Sequence, residues 1–453
     1  MICAKPYTEM TELNGAHLSL YWAIPFLGVL LSLAFFPLVA PAFWHRHYGK
    51  IILAWSSLFL IPSSLLNLSE TLSSVTHILG TEYIPFVLLI GALFVVTSGI
   101  RIQARWAGNP LSNVGVLFLG TLLSSWIGTT GASMLLVHPL IRANAWRRSQ
   151  AHVFIFFIFL VANIGGALSP LGDPPLFIGF LEGVPFFWPL QNLMGPTLFV
   201  VSAVLLIFFI IDMIFFKKED LSPPSLSPVP LLKLNGKINF LFLGLIVFSV
   251  WGSGSLKTGV VFQVCGVPLT LENCLRDGFL LLISVLSLKL TRKKVREDNH
   301  FTWEPLREVA KVFFGIFITV LPVLAMLRAG EQGAFKAIVS AVNHNGVPYN
   351  AAYFWLSGLF SSFLDNAPTY LVFFFTAGGD AGTLTTTLSK TLAAISLGSV
   401  YFGALTYIGN APNFMVRSIV SHYGIKMPSF LVYTGIACLI LLPIFLISVC
   451  IYL

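Results

Sequence analysis

The sequence predicts an all-α polytopic membrane protein. It is read as an inverted repeat of two halves, each with about five transmembrane helices, one re-entrant hairpin and one broken helix. Three observations predict this. Of 453 residues, 56% are hydrophobic and only 10% are charged, too few charges to cover a soluble protein of this size. Apolar runs such as 22–44 and 430–453 are long enough to cross a hydrocarbon core of ~30 Å. Polar clusters containing glycine and proline interrupt some of these runs, and they recur one half-chain later. A β-barrel would show short alternating strands, and none are evident.

Taken in order, continuous spans are expected near 21–42, 51–68, 83–99, 195–216, 238–252, 278–290, 309–328 and 429–451. The stretches 111–140 and 347–376 carry polar residues at their middles and are read as re-entrant hairpins. The stretches 150–180 and 389–418 are read as broken helices. Residues 217–237, rich in Pro and Ser and flanked by charge, read as a cytoplasmic linker between a first repeat, 1–216, and a second, 238–453. With both hairpins returning to the side they enter from, 20 of the 26 Lys and Arg fall on one face, the cytoplasmic bias of a multi-pass membrane protein. The net charge of +8 is thereby assigned to basic loops and not to nucleic acid binding. No basic n-region precedes the first apolar run, so no cleaved signal peptide is expected. The five cysteines show no CxxC pair; Cys265 and Cys274 share one loop, and their pairing stays open.

Shifting the chain by 237 residues places Asn113–Leu136 on Asn350–Phe373, with Ser124 and Ser125 on Ser361 and Ser362. At the same shift "GALSPLGDPPLF" (166–177) falls on "GALTYIGNAPNF" (403–414) without a gap. Agreement of Gly, Pro, Ser and Asn carries more weight than agreement of Leu or Phe. Proline removes a backbone donor and glycine permits unusual dihedrals, so "LGDPP" and "IGNAP" are expected to break their helices near the membrane midplane. Irregular backbone at that depth persists only inside protein or beside a watery cavity, where freed carbonyls and half-helix dipoles can meet an ion.

Four polar clusters would then converge: Thr129, Thr130 and Ser133; Ser169, Gly172 and Asp173; Asp365, Asn366 and Thr369; and Thr406, Gly409, Asn410 and Asn413. Asp173 and Asp365 are the acids placed at membrane depth within motifs, and intramembrane carboxylates are functional candidates. A carboxylate binds Na⁺ when charged and is neutral when protonated, so two cations can compete for it. The plainer readings make Asp365 a half-helix cap and Asp173 the N-cap of the helix after it. Ser124, Ser125, Ser361 and Ser362 read as close-packing residues, His138 as a satisfied interior or interfacial histidine, and Asn113 and Asn350 as caps where the hairpins start. An enzyme is not expected: the "GAS" of Gly131–Ser133 continues into Met134, and no HExxH, paired-aspartate or P-loop motif is present. A channel is the other rival class, but it needs no paired broken helices.

"NIGGALSPLGDPP" (163–175) and "LDNAP" (364–368) resemble the paired motifs of the ion transporter superfamily. That superfamily holds D-type sodium/proton antiporters, arsenite efflux permeases, citrate transporters and divalent anion/sodium symporters. The resemblance spans roughly residues 20–450 and is nearest to bacterial members of the citrate transporter/sodium–proton antiporter group. It implies a scaffold and a mobile transport body, a homodimer, an elevator mechanism, a bacterial inner membrane and no cofactor beyond transported Na⁺ and H⁺. It also implies that Asp365 and Asn366 bind Na⁺ with Thr406 and Asn410 opposite, and that Asp173 and Ser169 hold the matching place in the first half. The chain departs from many relatives at its first hairpin, where "GTTGAS" has neither acid nor amide. Sodium:proton antiport is the first expectation. Cation-coupled citrate or dicarboxylate transport is the alternative, and arsenite or oxyanion efflux the third.

Overall fold

The computed structural model describes residues 13, 15–104, 107–219, 232–264, 266–299, 301–336, 340, 342–344 and 347–453. The first part of the chain forms α1 (Ile24–Val39), α2 (Pro41–Leu66), α3 (Leu68–Ile78) and α4 (Ile84–Ser98), a π turn at Leu79–Tyr83 joining α3 to α4. There follow α5 (Pro110–Ile127), α6 (Thr129–Asn144), α7 (Ala151–Leu160), a 3-10 turn (Ile164–Leu168), α8 (Pro174–Leu181) and α9 (Trp188–Phe216). The second part forms α10 (Ile238–Ser255), α11 (Leu271–Leu290), α12 (Lys293–Asp298) and α13 (Glu304–Arg328). Then come α14 (Asn350–Leu364), α15 (Asn366–Thr376), α16 (Ala381–Thr385), α17 (Ser389–Tyr401), a 3-10 turn (Phe402–Leu405), α18 (Ala411–His422) and α19 (Phe430–Tyr452). The order helix, tip, helix, broken helix, long helix therefore occurs twice.

No strand is evident in the sequence, whereas three short antiparallel ribbons occur in connections among the described residues. They pair β1 (Arg101–Ala104) with β2 (Leu232–Asn235), β3 (Val261–Val264) with β4 (Val267–Thr270), and β5 (Asn343–His344) with β6 (Val347–Pro348). Residues 220–231 of the expected linker, and Cys265 of the possible cysteine pair, lie outside the described residues.

Among the described residues nine helical segments are long and apolar enough to cross a membrane. The expected span at 278–290 belongs to α11, whose first turns carry Glu272, Arg276 and Asp277, and it is not one of the nine. Burial separates these helices into two kinds. The segment 151–168 is 89% buried and apolar on every side, so it is surrounded by protein, whereas 188–216 is 28% buried and turns Leu206 and Ile210 outward. Lipid tails are as apolar as leucine, so contact between such helices comes from close approach and hydrogen bonds. Gly398 of α17 lies against the Ser357 hydroxyl of α14, where an added Cβ would come within 2.3 Å. Ser124 donates to the Val161 carbonyl at 2.6 Å and Ser361 to that of Ser399 at 2.5 Å. These serines tie each hairpin to its neighbouring broken helix as well as letting it approach.

Both hairpins turn at one residue. Gly128 has φ 79° and ψ 148°, and Asp365, 237 positions on, has φ 75° and ψ 144°. Glycine adopts this region freely, while an L side chain there is strained by about 1–3 kcal/mol. Asp365 is the one non-glycine with positive φ among the described residues. Its carboxylate accepts the Asn366 N–H at 2.8 Å, which offsets part of the strain by capping α15.

A buried polar knot joins α5, α6, α7 and α9. Arg147 and Asp212, both fully buried, approach to 2.6 Å, and His152 Nε2 lies 2.8 Å from Asp212. Asn113 donates to Asp212 at 2.9 Å and to Asn144 at 3.0 Å. Asn113 is therefore no hairpin cap: Asn109 caps α5 by accepting from the Ser112 N–H, and Pro110 starts the helix. Asn350 does not cap α14 either, since its side chain accepts from Thr391 at 2.8 Å. His138 is half-buried and edge-on to Tyr423 at 5.8 Å.

Two outcomes follow for thermal unfolding of purified protein in detergent. Asp365→Gly and Asp365→Ala both lose the cap, but only Gly relieves the backbone, so the Gly variant is expected to be more stable than the Ala variant by about 1–3 kcal/mol. Equal stabilities would show the tip unstrained. Asp212→Asn strands Arg147 and is expected to cost about 3–5 kcal/mol, whereas Arg147→Met with Asp212→Leu recovers much of that. A double variant no better than the single one would contradict this.

Candidate functional site

Both helix breaks and both hairpin tips meet at Asp173. The local cause is visible in the chain. Pro174 and Pro175 occupy the first two positions of α8, where fixed φ suits a helix start. Neither proline has an N–H, and the third, that of Leu176, bonds to the Asp173 backbone carbonyl at 3.1 Å. The Asp173 side chain has nothing to cap. It stands at the N-cap position with extended backbone, φ −142°, and makes no cap bond, contrary to the N-cap reading. Asn410 does the same before α18, with φ −150° and Pro412 in the first turn.

Freed from its own helix, the Asp173 carboxylate is buried, 2% exposed, and takes donors from three others. One oxygen accepts the Thr129 hydroxyl at 3.1 Å and the Asn410 amide at 3.0 Å. The other accepts the Asn366 amide. Thr129 opens α6, Asn366 opens α15, and Asn410 and Asp173 precede α18 and α8, so four helix N-termini point at one carboxylate. The aligned peptide dipoles of these helices leave partial positive charge at their starts, beside the carboxylate.

A surrounding layer holds the breaks open. Ser169 donates to the Ser125 carbonyl, and Thr406 to that of Ser362 at 2.5 Å, so equivalent hydroxyls lock each break to its hairpin. The same hydroxyls accept the N–H of Leu171 (3.1 Å) and of Gly409 (2.9 Å). Asn413 donates to the freed carbonyls of Gly403 and Thr406 at 2.7 and 2.9 Å. Each break doubles back so tightly that a Cβ on Gly172 would lie 2.2 Å from the Gly166 carbonyl oxygen, and one on Gly409 2.7 Å from that of Gly403.

The remaining expected residues stand farther out. Asp365 is half-buried and bears on Asp173 electrostatically, but its carboxylate caps α15. Thr369 donates to the Asp365 backbone carbonyl at 2.8 Å. Thr130 is half-buried and outside the described contacts of Asp173. Ser133, one turn along α6 from Thr129, is fully buried and its hydroxyl oxygen has no hydrogen-bond partner. Sequence reasoning passed over Asn163, whose amide donates to Asn413 at 2.7 Å and to the Ile158 carbonyl at 2.8 Å. The signal for it was a lone amide in the apolar run 153–164. The side-chain oxygens of Asn163 and Asn366 are also buried without a hydrogen-bond partner. Polar atoms left so are costly, and a bound water or ion would satisfy them. A carboxylate with nearby amide and hydroxyl oxygens is a donor set suited to a small hard cation.

The chain matches the family CitMHS_2, described as "Putative citrate transport", over residues 15–453. It is also similar to the "Na(+)/H(+) antiporter NhaD" of Halomonas elongata, 23% identical over 333 residues. That match covers 68% of this chain and 64% of the relative, less than two thirds of its length. The family match takes in both hairpin tips, both helix breaks and the long apolar helices around them. The chain thus belongs to the family CitMHS_2, and its long apolar helices make it a multi-pass membrane protein.

Proposed function

We propose that this transporter exchanges Na⁺ for H⁺, with Asp173 as the carboxylate for which the two cations compete. What carries this reading is the setting of Asp173: one buried carboxylate, a closed shell of donors from Thr129, Asn366 and Asn410, and the unpartnered amide oxygen of Asn366. In the Na⁺-bound state that oxygen and the carboxylate supply ligands. In the protonated state the carboxyl also becomes a donor, and its O–H needs an acceptor, for which the unpartnered Asn366 amide oxygen is available. Asp365, at the strained tip one residue from Asn366, tunes the field from outside the shell. Antiport is also what the printed name of the Halomonas relative states of that protein.

The remainder of the proposal concerns motion and setting. The two halves are inverted in a bacterial inner membrane, residues 217–237 face the cytoplasm, and the hairpins and broken helices move as one body against the rest of a homodimer. The hydroxyl contacts that lock each break to its hairpin hold such a body together. A second reading is cation-coupled citrate or dicarboxylate transport. It is favoured by the family description and by the four helix N-termini, which attract carboxylates as well as stabilise Asp173.

The test is dequenching of a pH-sensitive dye in everted vesicles on addition of Na⁺, Li⁺ or K⁺, beside uptake of labelled citrate and succinate into proteoliposomes. Wild type is expected to collapse the gradient on Na⁺ addition, and Asp173→Asn to lose that response. Asp365→Asn, which keeps an oxygen to cap α15, is expected to respond with half-saturation raised about tenfold, or ~1.4 kcal/mol. Carboxylate uptake without any cation-evoked response would replace antiport with the second reading.

A further inference from the structure

At the end of α8 away from Asp173 lies a cavity of about 550 Å³. Asp173 precedes this eight-residue helix and Glu182 follows it, so the two acids stand ~13.5 Å apart along one rigid element. Glu182 lines the cavity, as does Glu82 from the π turn between α3 and α4. One inserted residue in such a turn rotates the following helix by about 100° and re-aims its side chains. Glu82 is 9% exposed, its Oε2 has no hydrogen-bond partner, and the Glu182 carboxyl on the same cavity wall acts on it electrostatically. Two like charges sharing one buried site cannot both ionise freely, so the pair keeps a proton. The charge left over faces Arg328 of α13, which acts on Glu82 and lies 4.5 Å over the Phe375 ring. The other ionisable groups around the cavity are His77, Lys257 and Arg276, the last bonded to Asp277 at 2.8 Å and Asn273 at 3.2 Å.

We infer that Glu82 and Glu182 form a proton-binding site separate from Asp173, a carboxyl pair that shares one proton and exchanges it with the cavity. The site does not depend on which ion the transporter carries. Infrared difference spectroscopy of the full-length protein in lipid, titrated with pH, reads protonated buried carboxyls directly. Wild type is expected to show such a band at neutral pH. Glu82→Gln with Glu182→Gln is expected to lose it. Glu182→Gln alone alters a half-buried residue at a helix end, where folding is little affected, and is expected to move the band's midpoint by about one pH unit or more, tenfold in proton affinity. Asp173→Asn and Asp365→Asn are expected to keep it. A wild type without the band, Glu variants that titrate as wild type does, or loss of the band in Asp173→Asn would each overturn the site.

Discussion

The structure depends on one requirement: a carboxylate in the interior of a membrane protein must be given donors that water would otherwise supply. Asp173 obtains them where several helices begin, because a helix start is where side chains can leave the helical grid and reach it. Four helices begin there. Much else serves to make that possible at mid-chain. The prolines start helices without offering N–H groups, the glycines let the breaks double back, and the hairpin tips turn in a single residue of positive φ.

The two halves reach the same backbone with different chemistry. Ser169 and Thr406 lock the breaks, Gly172 and Gly409 let them fold back, and Gly128 and Asp365 turn the tips, each pair 237 residues apart. At the centre the correspondence persists in position but not in charge. Asp173 is matched by Asn410 and Thr129 by Asn366, so the first half provides the acid and a hydroxyl, the second two amides. A second acid at 410 would face the first at hydrogen-bond distance, and two like charges so placed cannot both ionise. One carboxylate and its neutral donors is the arrangement that leaves a single charge available to an ion.

Features written in local backbone chemistry were legible in the sequence. The breaks at "LGDPP" and "IGNAP", the hairpins and the serines before their tips are each announced by Gly, Pro or Ser that no apolar span requires. The ranking of the two acids was harder. Pro174 and Pro175 already imply that Asp173 lacks N–H groups to cap, yet the residue before a helix is ordinarily read as a cap. Asp365 carries the more familiar motif and turned out to be the one that caps. Contacts between distant residues left no trace. Arg147 counted as one of the charges on the cytoplasmic face and Asp212 drew no reading, and nothing short of the fold brings residues 65 apart to 2.6 Å. Asn163 was hidden in the same way, its partner Asn413 lying in the other half.

The two transport readings differ, in the end, by one proton. With Asp173 ionised, the field of the four helix ends is already answered by its charge, and no Lys or Arg within the four clusters invites a second anion. That state suits a cation, which completes the carboxylate and the unpartnered amide oxygen of Asn366. With Asp173 protonated, the same helix ends are unanswered, and a carboxylate-bearing substrate becomes the group that fits. On the proposed reading, sodium and proton act oppositely on what this centre attracts. Contacts around the centre, and not the breaks themselves, then decide between cation exchange and anion symport.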